Sequence, residues 1–168
     1  MASTTIMATL QALLHRELAA VRRSVDAYPD DTSLWAERPG LPNTGGNIVL
    51  HLAGNLQHFF GAVLGKTGYV RERDLEFSRR GLPRAELLTQ LDAADKAVDA
   101  GMKSVGAERF AQAYPEQVAG RTISTQDFIV HLLSHLAYHL GQLDYHRRVV
   151  TGDGTSIGAV PVKELGTG

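Results

Sequence analysis

Three histidines, His131, His135 and His139, recur every fourth residue in the stretch DFIVHLLSHLAYHLGQLDYHRR. On an α-helix, neighbours four apart lie roughly 6 Å apart along one side, each turned about 40° from the last. An adjacent pair can present two imidazoles to one metal ion. His131 and His139, about 12 Å apart along the axis, cannot share it on a straight helix. Spacing alone leaves two choices, His131 with His135 or His135 with His139. A second amphipathic stretch, NIVLHLAGNLQHFF, offers His51 among apolar residues. Two ligands from one helix and one from another leave positions for water or substrate, the layout of a reactive metal site and not of a closed structural one.

Three neutral imidazoles leave a divalent ion with its full charge. Water on such an ion loses a proton readily, its pKa falling toward about 7 in favourable zinc sites. A bound thiol is deprotonated by the same logic. Two reaction classes follow: a metal hydroxide attacking an amide or ester, or a metal-held thiolate attacking an electrophile or a double bond. The chain has no cysteine, so disulfides, thiolate ligands and a cysteine nucleophile are excluded, and the second class needs an external thiol. Zinc and nickel are the divalent ions most compatible with imidazole ligands.

Several polar residues are candidate helpers. Asn55, one turn after His51, can reach a metal-bound water or orient a ligand. Glu76, in a charged connection, can swing over the site as a base or substrate contact. Tyr138 adjoins His139 in sequence but is turned about 100° from it, which lets it face the core instead. Gln142, three after His139, can fix an imidazole by a hydrogen bond. Plainer readings compete with these. Most charged loop residues are simply solvated, and a lone histidine on an apolar face is usually a satisfied core or boundary residue, the reading given to His15 and His58. His146 lies about 10 Å beyond His139, and the Arg147-Arg148 pair after it suggests a helix end near solvent.

Four amphipathic segments must position these groups. Over residues 4–28, Ile6, Leu10, Leu14, Leu18, Val21 and Val25 form an apolar stripe; Ser3 or Thr4 can cap its start and Pro29 ends it. The segment PDDTSLWAERPGLPNTGG then breaks regularity, with Leu34 and Trp35 plugging the end of the core. Residues 47–64 read as a second helix and 83–105 as a third, with Pro83 in its first turn and Asp92, Asp95, Lys96 and Asp99 turned outward. Between them, YVRERDLEFSRRG reads as a surface connection folding over the bundle end. A fourth helix runs from a Ser124 cap, with Asp127 three residues on, to Val150. The pattern predicts an all-α four-helix bundle over residues 1–152. Two connections longer than usual for helix hairpins predict crossovers or pocket rims. The glycine-rich tail, 153–168, is too short for a domain; it lies along the surface, pairs with a partner chain or is disordered.

A chain of 168 residues with 43% hydrophobic and 21% charged residues fits one globular domain. A net charge of −1 gives no footprint for nucleic acid or an anionic membrane. No apolar run reaches the roughly 18 residues that span a bilayer, and the N-terminus lacks the basic start of a signal peptide. A cytoplasmic location is the expectation.

The segment His135-Leu-Ala-Tyr-His139-Leu-Gly141-Gln142 resembles the HxxxHxGQ signature of the DinB-like metal-binding proteins, a superfamily of four-helix bundles whose relatives include bacillithiol- and mycothiol-dependent enzymes. The similarity extends over most of the chain and includes Leu41-Pro42-Asn43 and the second-helix histidine, His51. It implies His51, His135 and His139 as ligands of one divalent ion, with His131 a supporting or packing residue. The arginine these proteins often carry after the last ligand is Leu140 here, so no role for it transfers. The resemblance further implies a homodimer, which the wide apolar helix faces also suit. It mildly favours a transferase using a low-molecular-weight thiol on a small-molecule substrate, with a hydrolase beside it. The competing expectation is a non-catalytic metal-binding bundle or a small-molecule-binding stress protein.

Overall fold

The computed structural model describes residues 2–157. Within them six helical segments form and no strand does. Four are long: α1 (Ala2–Asp26), α3 (Gly45–Leu56) prolonged by a π-helical stretch (Gln57–Leu64), α5 (Arg84–Phe110) and α6 (Thr125–Thr151). The other two, α2 (Asp31–Leu34) and α4 (Arg73–Ser78), are short, and periodicity predicts neither. No helix among the described residues is long and apolar enough to cross a membrane. Of the predicted tail, residues 158–168 lie outside the described residues.

Apolar positions of all four long helices, most of the stripe of the first among them, make the core. Leu14, Val21, Val25, Leu52, Leu56, Phe60, Leu91, Val98, Leu136 and Leu143 are all buried, each worth about 1.5–3 kcal/mol of hydrophobic burial. Leu34 is buried as well, and the half-buried Trp35 donates its indole N–H to the Leu82 carbonyl at 3.0 Å. Helix ends follow capping chemistry at α3 and α6. The Thr44 hydroxyl accepts from the Asn47 N–H, and the Ser124 hydroxyl accepts from the Asp127 N–H at 3.1 Å. At α1 the expectation needs correcting: the helix already starts at Ala2, so Ser3 and Thr4 lie inside it. α5 covers the predicted third helix and kinks at Gly106, where φ is 57°.

Side-chain pairings give the helix directions. Gln11 meets Asp99 while Arg22 meets Asp92, so α1 and α5 are antiparallel. Gln57 meets Gln90 while Ser104 donates to the Leu64 carbonyl, so α3 and α5 run the same way. His51 faces His135 and His139 while Phe59 faces Phe128, so α3 and α6 are antiparallel. α1 and α3 each pack against both α5 and α6.

Parallel neighbours need a connection that returns the whole length of the molecule, and residues 65–83 supply it. The segment is the expected surface connection and a crossover, most of its residues exposed, but it runs along the bundle and not over its end. Its short helix α4 packs along α3, and Glu76 from it is buried. The Asn47 amide on α3 holds it there, donating to the carbonyls of Glu76 at 2.8 Å and Arg79 at 3.1 Å.

The end of α6 also departs from expectation. His146 and Arg147, read as near solvent, are buried. His146 accepts from the Tyr28 hydroxyl on Nδ1 (2.7 Å) and donates from Nε2 to the Ala36 carbonyl (2.9 Å). Arg147 lies under the turn that follows α6, paired with Asp153 at 3.3 Å and bonded to the Thr155 carbonyl. Asp144 accepts from the Ile157 N–H at 3.0 Å. Residues 153–157 are thus tied to α6 by buried charge.

Candidate metal centre

His51 comes from the middle of α3, and His135 and His139 from successive turns of α6. The antiparallel packing sets the three rings face to edge, with centroids 4.5–5.1 Å apart. Their Nε2 atoms point at a common centre. His135 Nε2 lies 3.2 Å from that of His51 and 3.1 Å from that of His139. One ligand atom from each falls within 4.8 Å of the others, and among the described residues no other such group of three occurs. Nitrogens held at 2.0–2.1 Å in a zinc tetrahedron sit about 3.3 Å apart, close to this spacing.

The remaining ring nitrogens decide what the centre wants. His51 Nδ1 faces Glu76 Oε2 at 2.9 Å. His139 Nδ1 faces Gln142 Oε1 at 2.7 Å. Carboxylate and amide oxygens only accept, so each Nδ1 carries the hydrogen and each Nε2 turns a lone pair inward. His135 can offer at most one N–H to two such lone pairs while neutral. One inward pair is therefore always left facing another acceptor, a conflict that a cation removes. Protonation is the dearer remedy: burial, then the neighbouring His139 and His51, pulls His135 down to about 4. His139 is lowered too, chiefly by burial and against the support of Gln142. The donor set fits a divalent metal ion.

Glu76 stands behind His51 and not over the open side. Arg71 grips it twice, Nε to Oε1 at 2.7 Å and Nη2 to Oε2 at 2.9 Å. Burial alone raises the Glu76 carboxyl, but the bonds from His51 and Arg71 outweigh it and hold the group below its ordinary range. The carboxylate fits because residue 54 is glycine; a Cβ there would lie 2.2 Å from Glu76 Oε1. A carboxylate–histidine pair of this kind fixes ring orientation and raises ligand basicity.

The other sequence candidates fall at the edges. Asn55 is buried one turn after His51, and its Oδ1 has no hydrogen-bond partner. It shares a face with His51 and Phe59, whose rings meet α6 on either side of it. Tyr138, a candidate helper whose plainer reading was packing in the core, is 64% exposed with its ring against His139 at 5.2 Å. His131 is exposed, stacks on Phe128 and stays outside the ligand group. His58 pairs with Glu116 at 3.2 Å, and His15 bridges Asp95 and Asp99; both are boundary residues. Sequence reasoning missed Arg71. The signal was a cation five residues before Glu76, but a charged run reads as solvated until a buried neighbour is seen.

Fold and site together define an all-α protein with three histidines gathered from two antiparallel helices around a cation-sized gap. The family model described as Protein of unknown function (DUF1572) matches residues 2–163, and the chain belongs to that family. No curated protein and no solved structure matches it.

Proposed function

We propose that this chain is a DinB-like four-helix bundle that binds one divalent ion through His51, His135 and His139 and acts as a metal-dependent enzyme on a small molecule. The family's place in the DinB-like clan supports the fold assignment. The observation that carries the metal is the convergence of three Nε2 atoms, two pairs of them 3.1 and 3.2 Å apart, with two of the rings held as Nδ1–H tautomers. Zinc or nickel suits the all-imidazole set.

A divalent ion there supplies a Lewis acid that acidifies a coordinated water or thiol. The protein's own residues do the rest. Neutral imidazoles leave the ion's charge undiminished. Glu76 and Gln142 aim two of them. Asn55, one turn after His51, keeps a buried amide oxygen free to accept a hydrogen bond. Tyr138 stands at the exposed edge, in place to touch substrate. With no cysteine in the chain, a low-molecular-weight thiol is the external nucleophile of the favoured reaction, a thiol transfer; hydrolysis by water is the second. A homodimer completes the reading. α6 carries an exposed, uncharged strip of Val130, Ser134, Ala137, Tyr138, Gly141, Tyr145 and Val149 that suits a second copy.

Elemental analysis tests the centre. The wild type is expected to hold close to one ion per chain. His135→Ala should lose nearly all of it with its helical circular dichroism retained, and His58→Ala should keep it. Full metal content in His135→Ala would sink the assignment. Thiol-dependent turnover by the metal form, absent after chelation, is the matching test of the enzyme.

A further inference from the structure

Two of the three ligands are arranged within α6 itself, where Gln142 lies one turn after His139. His51 is different. Its orienting group comes from the crossover, a segment outside the four long helices, and that group is itself held by another crossover residue. Arg71 meets both oxygens of Glu76, and Glu76 meets His51. Arg71 Nη2 also lies 3.5 Å from His51 Nδ1. This is a proximity and not a bond, because that nitrogen's hydrogen is already given to the carboxylate. The guanidinium further sits over the Phe59 ring, 5.8 Å from its centroid, and Phe77 of α4 packs on the His51 ring at 5.0 Å.

We propose that Arg71 is a positioning residue of the metal centre, acting on His51 through Glu76, so that ion affinity is coupled to docking of the crossover against α3. The inference rests on the metal centre proposed above. A bidentate guanidinium fixes a carboxylate in plane and in angle, which a lone lysine ammonium does not. With Arg71 in place, Glu76 has one orientation, and in it Oε2 accepts from His51 Nδ1. Without Arg71 the carboxylate is free to swing, and the His51 ring loses the contact that sets its tautomer. Coupling is reciprocal: what strengthens the ion by ordering the crossover must order the crossover when the ion binds.

Competition with a chromogenic chelator, using zinc ion as the probe, measures the first half. Arg71→Met is expected to weaken binding by about 10- to 100-fold, the range for outer partners of metal-bound histidines. Arg71→Lys should lose part of that, keeping charge without the fork. The double variant Arg71→Met/Glu76→Gln should bind within about twofold of Glu76→Gln alone, since both act along one path. The second half is read by trypsin, with Arg73, Arg79 and Arg80 as cleavage sites in the crossover. Zinc should slow cutting there in the wild type and much less in Glu76→Gln. A purely structural arginine would lower the melting temperature of the metal-free protein without this non-additivity. Wild-type affinity in Arg71→Met, or losses that multiply in the double variant, would overturn the positioning role. Failure of the wild type to bind zinc would instead overturn the centre, and this inference with it. Should Arg71→Met not fold, an unchanged affinity in Arg71→Lys together with equal trypsin protection in the wild type and Glu76→Gln overturns the proposal.

Discussion

At the scale of single residues, the proposed centre depends on groups outside the three histidines. Gly54 is the clearest case. Alanine in the interior of a helix is favoured over glycine by roughly 0.5–1 kcal/mol, so Gly54→Ala should help α3 on propensity alone. Its Cβ would lie 2.2 Å from Glu76 Oε1 and 2.9 Å from Cδ, so the carboxylate must move off His51. The expected outcome is a helical spectrum at least as strong as wild type with zinc affinity lowered about tenfold, the low end for losing such a support. Equal affinity in a chelator competition would show that Glu76 does not orient His51. The three clustered histidines were legible in part: the spacing of four marked α6 but left two pairs open, and the resemblance to the HxxxHxGQ signature chose His135 with His139. Glu76 was legible as a candidate, but as a group swinging over the site and not as the support behind His51; Arg71 was not, because a buried ion pair looks, residue by residue, like two solvated side chains. Arg147 misled for the same reason, and His146 because its partners, the Tyr28 hydroxyl and the Ala36 carbonyl, are distant in sequence.

At the scale of elements, long amphipathic stretches were read to within a few residues. Their edges and connections were not. The widened turn of Gln57–Leu64, where the Gly65 N–H bonds the Phe60 carbonyl five residues back, changes hydrogen-bond register without changing composition. α2 and α4 are too short to show a period. The exposed side of α6 does follow the period, and Val130, Tyr138, Tyr145 and Val149 on it are exposed. At Gly141 an added Cβ would meet nothing within 4 Å. If a second copy covers this side, sedimentation should give a dimer. Ala137→Arg, which places a charge in the middle of the strip, should give a monomer that still takes up one ion per chain. A wild type that sediments as a monomer at tens of micromolar would refute the interface.

At the scale of the molecule, acidity acts through the histidines. His135, His139 and His146 have folded-state pKa values below the unfolded 6.5, in each case chiefly because burial disfavours the charged ring. Below pH 6.5 the unfolded chain binds more protons than the folded one. The stability these groups contribute is therefore full above 6.5 and drains away as pH falls, down to about 4 for His135. His15 has the opposite sign. Burial lowers it, but Asp95 and Asp99 together outweigh that and raise it. Its contribution is complete below 6.5 and fades on the alkaline side, so it does not offset the acid loss. Thermal unfolding of chelated protein should show a melting temperature that drops steadily from pH 7 to pH 4.5. A flat or rising profile would mean these rings are not buried neutral.

The shared direction of α3 and α5 bears on how the chain is assembled as it is made. His51 emerges from the ribosome well before its partners, and even the crossover that steadies it precedes them. Until α6 has followed, two of the three rings of the cluster are missing. An ion at the proposed centre would therefore not template the early helices; it would lock a tertiary arrangement that apolar contacts build, and chain made without metal is expected to fold.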